Sequence, residues 1–98
     1  MIILNGDRRI PAHVLVLFTR CKDILDEVII ANGSKYHERW SHLSQHVVTS
    51  FLSYLYCGTI ELELITSEDL DSAKYFSTNY SQLLSWKLYV ENYIDQVE

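Results

Sequence analysis

Hydrophobic and polar positions alternate with changing period along the chain, and each change of period marks an expected element. Met1 to Leu4 is a short apolar run of β type, Asn5-Gly6 is a hairpin signal, and Arg9-Ile10 begins a return strand. Pro11 ends that strand and suits a helix start, since a first helical residue has no use for its N–H. Residues 12–21 then read as a helix that is apolar nearly all round, with Val16 and Leu17 toward a core and Val14, Leu15 and Phe18 toward another face. A second helical pattern runs from Asp23 to about Ile30, carries Ile24, Leu25 and Val28 on one side, and ends at the turn Asn32-Gly33-Ser34. Lys35 to Trp40 reads as irregular or briefly extended.

The second half is more regular. Leu43, Val47, Phe51 and Leu55 recur every fourth residue, Val48 and Leu52 widen the stripe, and Ser44, Gln45, Thr49 and Ser53 lie opposite, so a long amphipathic helix is expected. Gly58 stands where a left-handed C-terminal cap belongs. Ile60, Leu62 and Leu64 then alternate with Thr59, Glu61 and Glu63, the pattern of a half-buried strand. Thr66 with Asp69 three residues on has the form of a capping box, opening a short helix that reaches about Asn79. A last helix from about Ser81 presents Leu83, Trp86, Val90, Tyr93, Ile94 and Val97 at spacings of three and four. The expected fold class is α/β of the α+β type: a hairpin, a helix pair, a long helix, a strand and a closing helix pair, in one domain spanning 1–98.

Composition adds constraints. The 98 residues are 48% hydrophobic and 21% charged with three glycines and one proline, which suits a packed core rather than a disordered chain. A core of this size is marginal, so apolar burial against a second subunit would add usefully to stability. A net charge of −5 with no Lys or Arg run disfavours direct nucleic-acid binding, and no apolar stretch approaches the length of a membrane span. Cys21 and Cys57 both fall inside apolar helical patterns, where reduced, buried thiols are common in cytosolic or nuclear proteins. The chain opens directly on strand-like residues, and it is expected to be a fragment of a larger protein.

Candidate chemistry is sparse. There is no Gly-x-Ser-x-Gly elbow, glycine-rich phosphate loop or close pair of cysteines. His42 and His46 are four apart, as zinc ligands on a helix are, but no Glu follows His42, and two solvated histidines are the expectation. Cys21 lies between Arg20 and Lys22, yet helix neighbours point in different directions, so it is read as a packing residue. Tyr36 and Trp40 either line a small partner groove or cover the sheet. No enzyme activity, cofactor or metal is expected.

Two segments carry a family resemblance. Arg9-Ile10-Pro11-Ala12-His13 resembles the strand-to-helix junction of BTB/POZ domains, and Phe51 to Ile60 resembles their central helix and the strand after it; Glu68-Asp69-Leu70 and Glu91-Asn92-Tyr93-Ile94 extend the similarity across almost the whole chain. The resemblance implies a small sheet flanked by paired helices, no catalysis, a hydrogen-bonding role for a buried His13, and homodimerisation through the first helix. The interface is then expected at Val14, Leu15, Phe18 and Thr19. Many relatives have a basic residue where this chain has Val14, so the charged pocket of those relatives is not implied here. Bulky Leu15 and Phe18 before Thr19-Arg20-Cys21 are similar to the BTB domains of nuclear scaffolds that organise structure-specific DNA-repair endonucleases, which implies nuclease subunits recruited through other parts of the chain. Two other occupations of the family are a cullin ubiquitin-ligase adaptor, for which Tyr36-His37-Glu38 fits the docking pattern formally but late in the chain, and a transcriptional repressor.

Overall fold

The computed structural model describes the backbone of residues 1–64, 66–80 and 82–97 and, within them, every side chain but those of Phe18 and residues 95–97. The chain is a mixed α+β structure: among the described residues, a four-stranded sheet, four α-helices and one 3₁₀ segment. Strands β1 (Ile2–Asn5) and β2 (Arg8–Pro11) form the expected antiparallel hairpin. Its two-residue loop is Gly6-Asp7, one residue later than the sequence signal, and Gly6 takes φ +60°, which a side chain would resist. Asn5 therefore remains in β1, facing inward and fully buried.

Helix α1 (Val14–Arg20) follows, then a 3₁₀ segment, Lys22–Glu27. The helix expected to reach Ile30 stops here. Ile29–Ala31 forms β3 and Ser34–His37 forms β4, an antiparallel hairpin where a helix end and an irregular stretch were expected. The reason lies in the connection: Asn32 and Gly33 take φ +52° and +78°, and two successive left-handed residues give a loop whose twist matches that of paired strands. The β-branched run Val28-Ile29-Ile30 suits a pleated strand better than a helix. β4 then enters the sheet parallel to β1, Ile3 opposite His37, in the order β2-β1-β4-β3.

Helix α2 (Gln45–Cys57) buries Val47, Val48, Phe51, Leu52 and Leu55, the stripe its spacing predicts, and ends at Gly58 with φ +79°. Helix α3 (Ser67–Asn79) opens with the predicted capping box between Thr66 and Asp69. Asp69 also accepts the Ser44 hydroxyl at 2.5 Å, and Ser72 Oγ accepts the Ser44 backbone N–H at 2.9 Å, so the start of α2 is tied to α3. Helix α4 (Leu84–Val97) closes the fold over Trp86 and Val90. The expected helix start at Ser81 and the expected inward side chain of Val97 lie outside the described residues.

Residues 59–64 correct a second expectation. The predicted alternation is present, with Leu62 and Leu64 buried and Glu61 and Glu63 exposed, yet among the described residues no strand pairs with this segment. Side chains satisfy its carbonyls instead: Ser50 donates to Glu61, Tyr89 to Leu62 and Tyr93 to Leu64, all at 2.8–2.9 Å, and His46 Nε2 lies 2.5 Å from the Glu63 carbonyl. Extended backbone needs partners for its polar groups, and helices α2 and α4 provide them where a neighbouring strand would otherwise be required.

The core is aromatic at its centre. Phe51 stacks on Phe76 at 4.0 Å, with Trp40 and Trp86 edge-on to both rings. Asn5 fastens the sheet to this core: its amide donates to the carbonyls of Trp40 (2.8 Å) and Leu43 (3.0 Å), while its Oδ1 accepts from Arg8. Replacing Asn5 by Leu keeps the branching of the side chain but removes the amide donor: the Leu43 carbonyl loses it outright and the Trp40 carbonyl keeps only the Leu43 N–H at 3.1 Å, and a buried polar group left unpaired costs about 1–3 kcal/mol. Urea unfolding of Asn5→Leu is expected to show a loss of about 1–3 kcal/mol with unchanged slope; a loss below about 0.5 kcal/mol would mean that the amide does not fasten the sheet.

Candidate partner interface

Helix α1 starts where Pro11 and Ala12 leave the sheet, and its short length leaves one face inward and one outward. Leu17 is buried, Val14 and Val16 are half-buried, and Leu15 is 76% exposed. Thr19 is exposed, and its hydroxyl donates back to the Leu15 carbonyl at 2.8 Å, the usual way a helical threonine satisfies itself. The side chain of Phe18 lies outside the described residues. Of the four residues expected at a pairing surface, Leu15 and Thr19 therefore face outward, and Val14 sits at the rim.

The helix runs between two hollows. On one side Val14 lines a groove of about 250 Å³ with Leu25, Val28, Ile30 and Lys35. On the other, Leu15, Val16 and Thr19 line a hollow of about 290 Å³ with Arg20 and Tyr56. Ile30 pairs across the hairpin with Lys35 and is 72% exposed, and Ile29 beside it is also exposed. Single exposed apolar side chains are ordinary, but apolar residues from a helix, the 3₁₀ segment and an edge hairpin meeting along one groove are not. Sequence spacing pointed to Leu15. It did not point to Leu25, Val28 and Ile30 as its neighbours, because residues 23–30 read as one helix. A separate apolar pair, Leu84 and Leu88, is exposed one turn apart on α4.

The other candidate residues have structural positions. Trp40 is fully buried and so lies in the core, under the sheet, and not in an open groove. Tyr36 is half-buried, with the Arg9 guanidinium over its ring and on its hydroxyl. In the segment Tyr36-His37-Glu38, His37 is buried in the sheet and Glu38 is exposed. His13 is exposed where a buried residue was expected; the Tyr56 hydroxyl bridges its backbone N–H and Nδ1, each at 2.9 Å. His42 precedes α2 and packs edge-on to Tyr75, so it shares no helical face with His46. Among the described residues no group of three His, Cys, Asp or Glu could hold a metal ion. No helix of the described residues is long and apolar enough to cross a membrane.

A buried polar cluster escaped the sequence reading altogether. One carboxylate oxygen of Glu27 accepts a short hydrogen bond from the Tyr80 hydroxyl and lies 3.3 Å from His37 Nε2, while the other meets Arg39 at 3.4 Å. Tyr80 in turn accepts the Trp40 indole N–H at 3.0 Å. Burial and the bond to Glu27 raise the Tyr80 hydroxyl far above its ordinary value, so it is a donor and not a base. These residues come from positions as far apart as 27 and 80, a distance no periodicity links.

Comparison with family models, with curated proteins and with solved structures finds no match to the chain. The two thiols differ in a way the sequence did not separate: Cys21 is buried at the end of α1, with burial as the main cause of a raised pKa, whereas Cys57 is exposed at the end of α2. A disulfide-exchange reagent at mildly alkaline pH should modify one thiol of the folded chain quickly and the second only after unfolding. Equal rates at Cys21 and Cys57 would contradict the packing described for Cys21.

Proposed function

We propose that the chain is a BTB/POZ-type, non-catalytic module that pairs two copies of the protein carrying it through the outer face of α1. The observation that carries this reading is Leu15, held out on a helix whose other rim, at Val14, opens onto the apolar groove of Leu25, Val28 and Ile30. An isologous contact presents the same patch twice, so the protruding Leu15 of one copy has a hollow of side-chain size opposite it, and the reverse holds by symmetry. A four-stranded sheet with several helices is compatible with the small sheet and flanking helices that the family resemblance implies.

Magnitudes set what such a contact needs. Burying Leu15 and Ile30 from both copies is worth about 6–12 kcal/mol at roughly 1.5–3 kcal/mol per side chain. Association costs about 4–15 kcal/mol in lost freedom. Gain and cost are of the same size, so pairing depends on fit along α1 rather than on apolar area alone. The narrower reading, a nuclear scaffold of DNA-repair endonucleases that doubles the number of recruited enzymes, rests on the sequence match of Leu15 and Phe18 before Thr19-Arg20-Cys21.

Light scattering of the chain at tens of micromolar is expected to give twice the mass of a single copy, and Leu15→Asp to give a single copy with an unchanged circular dichroism spectrum. A wild-type chain that is monomeric under those conditions, or a Leu15→Asp variant that remains paired, would overturn the proposal.

A further inference from the structure

Beyond any pairing, the Glu27 cluster has the construction of a proton-responsive joint. It draws on three parts of the fold: Glu27 ends the 3₁₀ segment, His37 ends β4 in the middle of the sheet, and Tyr80 caps α3. We infer that His37 makes this joint an acid-sensitive latch: neutral, it closes Glu27 and Tyr80 into one buried network, and on taking up a proton it loosens the tie between the 3₁₀ segment, β4 and α3.

The geometry argues for the neutral ring. His37 is fully buried, with Trp40 against it at 4.5 Å between ring centres and Ile3 of β1 as its strand neighbour. Its Nε2 faces the Glu27 carboxylate, which fixes the tautomer with the proton on Nε2. Its Nδ1 is buried and meets no hydrogen-bond partner among the described residues. A lone pair there is tolerable, but a second N–H in that position would be a buried donor on a cation, with no acceptor beyond the residue's own backbone to receive it.

The charges around the ring decide the direction. From the 3₁₀ segment comes Glu27, which attracts a proton to His37; from the residues after β4 comes Arg39, which repels one and already occupies the second oxygen of that carboxylate. From α3 come the Tyr80 hydroxyl, a neutral donor to the same Glu27 oxygen, and Tyr75, which senses both Glu27 and Arg39. Burial outweighs the attraction, and the ring is held below its ordinary value of 6.5. The unfolded chain therefore takes up the proton first. The stabilisation from neutral His37 is complete above about pH 6.5 and is lost as the pH falls through that value toward the lower one of the folded chain. His13, His42 and His46 lie exposed at the surface, outside this network.

Two measurements at fixed protein concentration test the latch. NMR titration of the wild-type chain should place the His37 ring below 6.5, and hydrogen exchange at the β4 amides, corrected for its intrinsic pH dependence, should show local opening rising by up to about fivefold as the pH falls from 6.5 to 5.5. His37→Gln keeps a donor to Glu27 and cannot titrate, so its opening should lose that dependence. A His37 ring that titrates at or above 6.5 in the folded chain, or a His37→Gln variant with the wild-type dependence, overturns the inference. If His37→Gln does not fold, the ring titration of the wild-type chain decides alone.

Discussion

The structure turns on burying Trp40. The indole sits at the meeting point of sheet and helices, fully enclosed, and an enclosed Trp must find an acceptor for its N–H. Tyr80 provides it, and the Tyr80 hydroxyl then needs an acceptor of its own, which is Glu27. Glu27 is left with a carboxylate in a largely enclosed place, and His37 and Arg39 complete its partners. One large aromatic side chain thus commits the 3₁₀ segment, β4 and the end of α3 to fixed relative positions. Its backbone does the same for β1, since the Trp40 carbonyl takes one of the two Asn5 amide bonds.

That constraint explains why the outward face of α1 is where it is. With β4 pinned between β1 and β3, and with Cys21 and Ile24 drawn into the core, α1 and the 3₁₀ segment can cover only one side of the structure. Val28 to Ala31 must then run along the sheet edge beside α1, which brings Ile30 to the groove that Val14 lines. The apolar rim is a by-product of how the polar network fixes its neighbours. A rim held in place by the core lowers the ordering cost of the pairing proposed for it.

Much of this was legible in the chain because it is local. The stripe from Leu43 to Leu55, the Gly58 cap, the Thr66-Asp69 box and the first hairpin each rest on contacts within a few residues, where periodicity and capping rules apply. The β3–β4 hairpin was legible in principle: Val28-Ile29-Ile30 followed by Asn32-Gly33 is a strand and its turn, but the apolar spacing of Ile24, Leu25 and Val28 reads as helix and carried the boundary too far. The segment 59–64 showed its alternation without its partners, because those partners are the side chains of Ser50, Tyr89 and Tyr93 and not another strand. Trp40 and His37 were opaque for a different reason. A buried aromatic and an exposed one look alike in sequence when the residues that enclose them lie in other elements.

The polar and thiol side chains in and around the interior share one structural use. Here the Tyr80 hydroxyl is held as a donor to Glu27, Cys21 is buried and its thiol kept protonated, Asp69 is engaged by Thr66 and Ser44, and the His13 ring is tied to Tyr56. Each of these groups fastens one element to another. Outside that interior the described surface exposes apolar side chains at two places, Leu15 beside the groove of Val14, Leu25, Val28 and Ile30, and Leu84 with Leu88 on α4. The reactive groups are thus used to fasten the fold, and the proposed pairing rests on the aliphatic side chains left outside it, Leu15 and Ile30, where shape and burial set the strength of any contact.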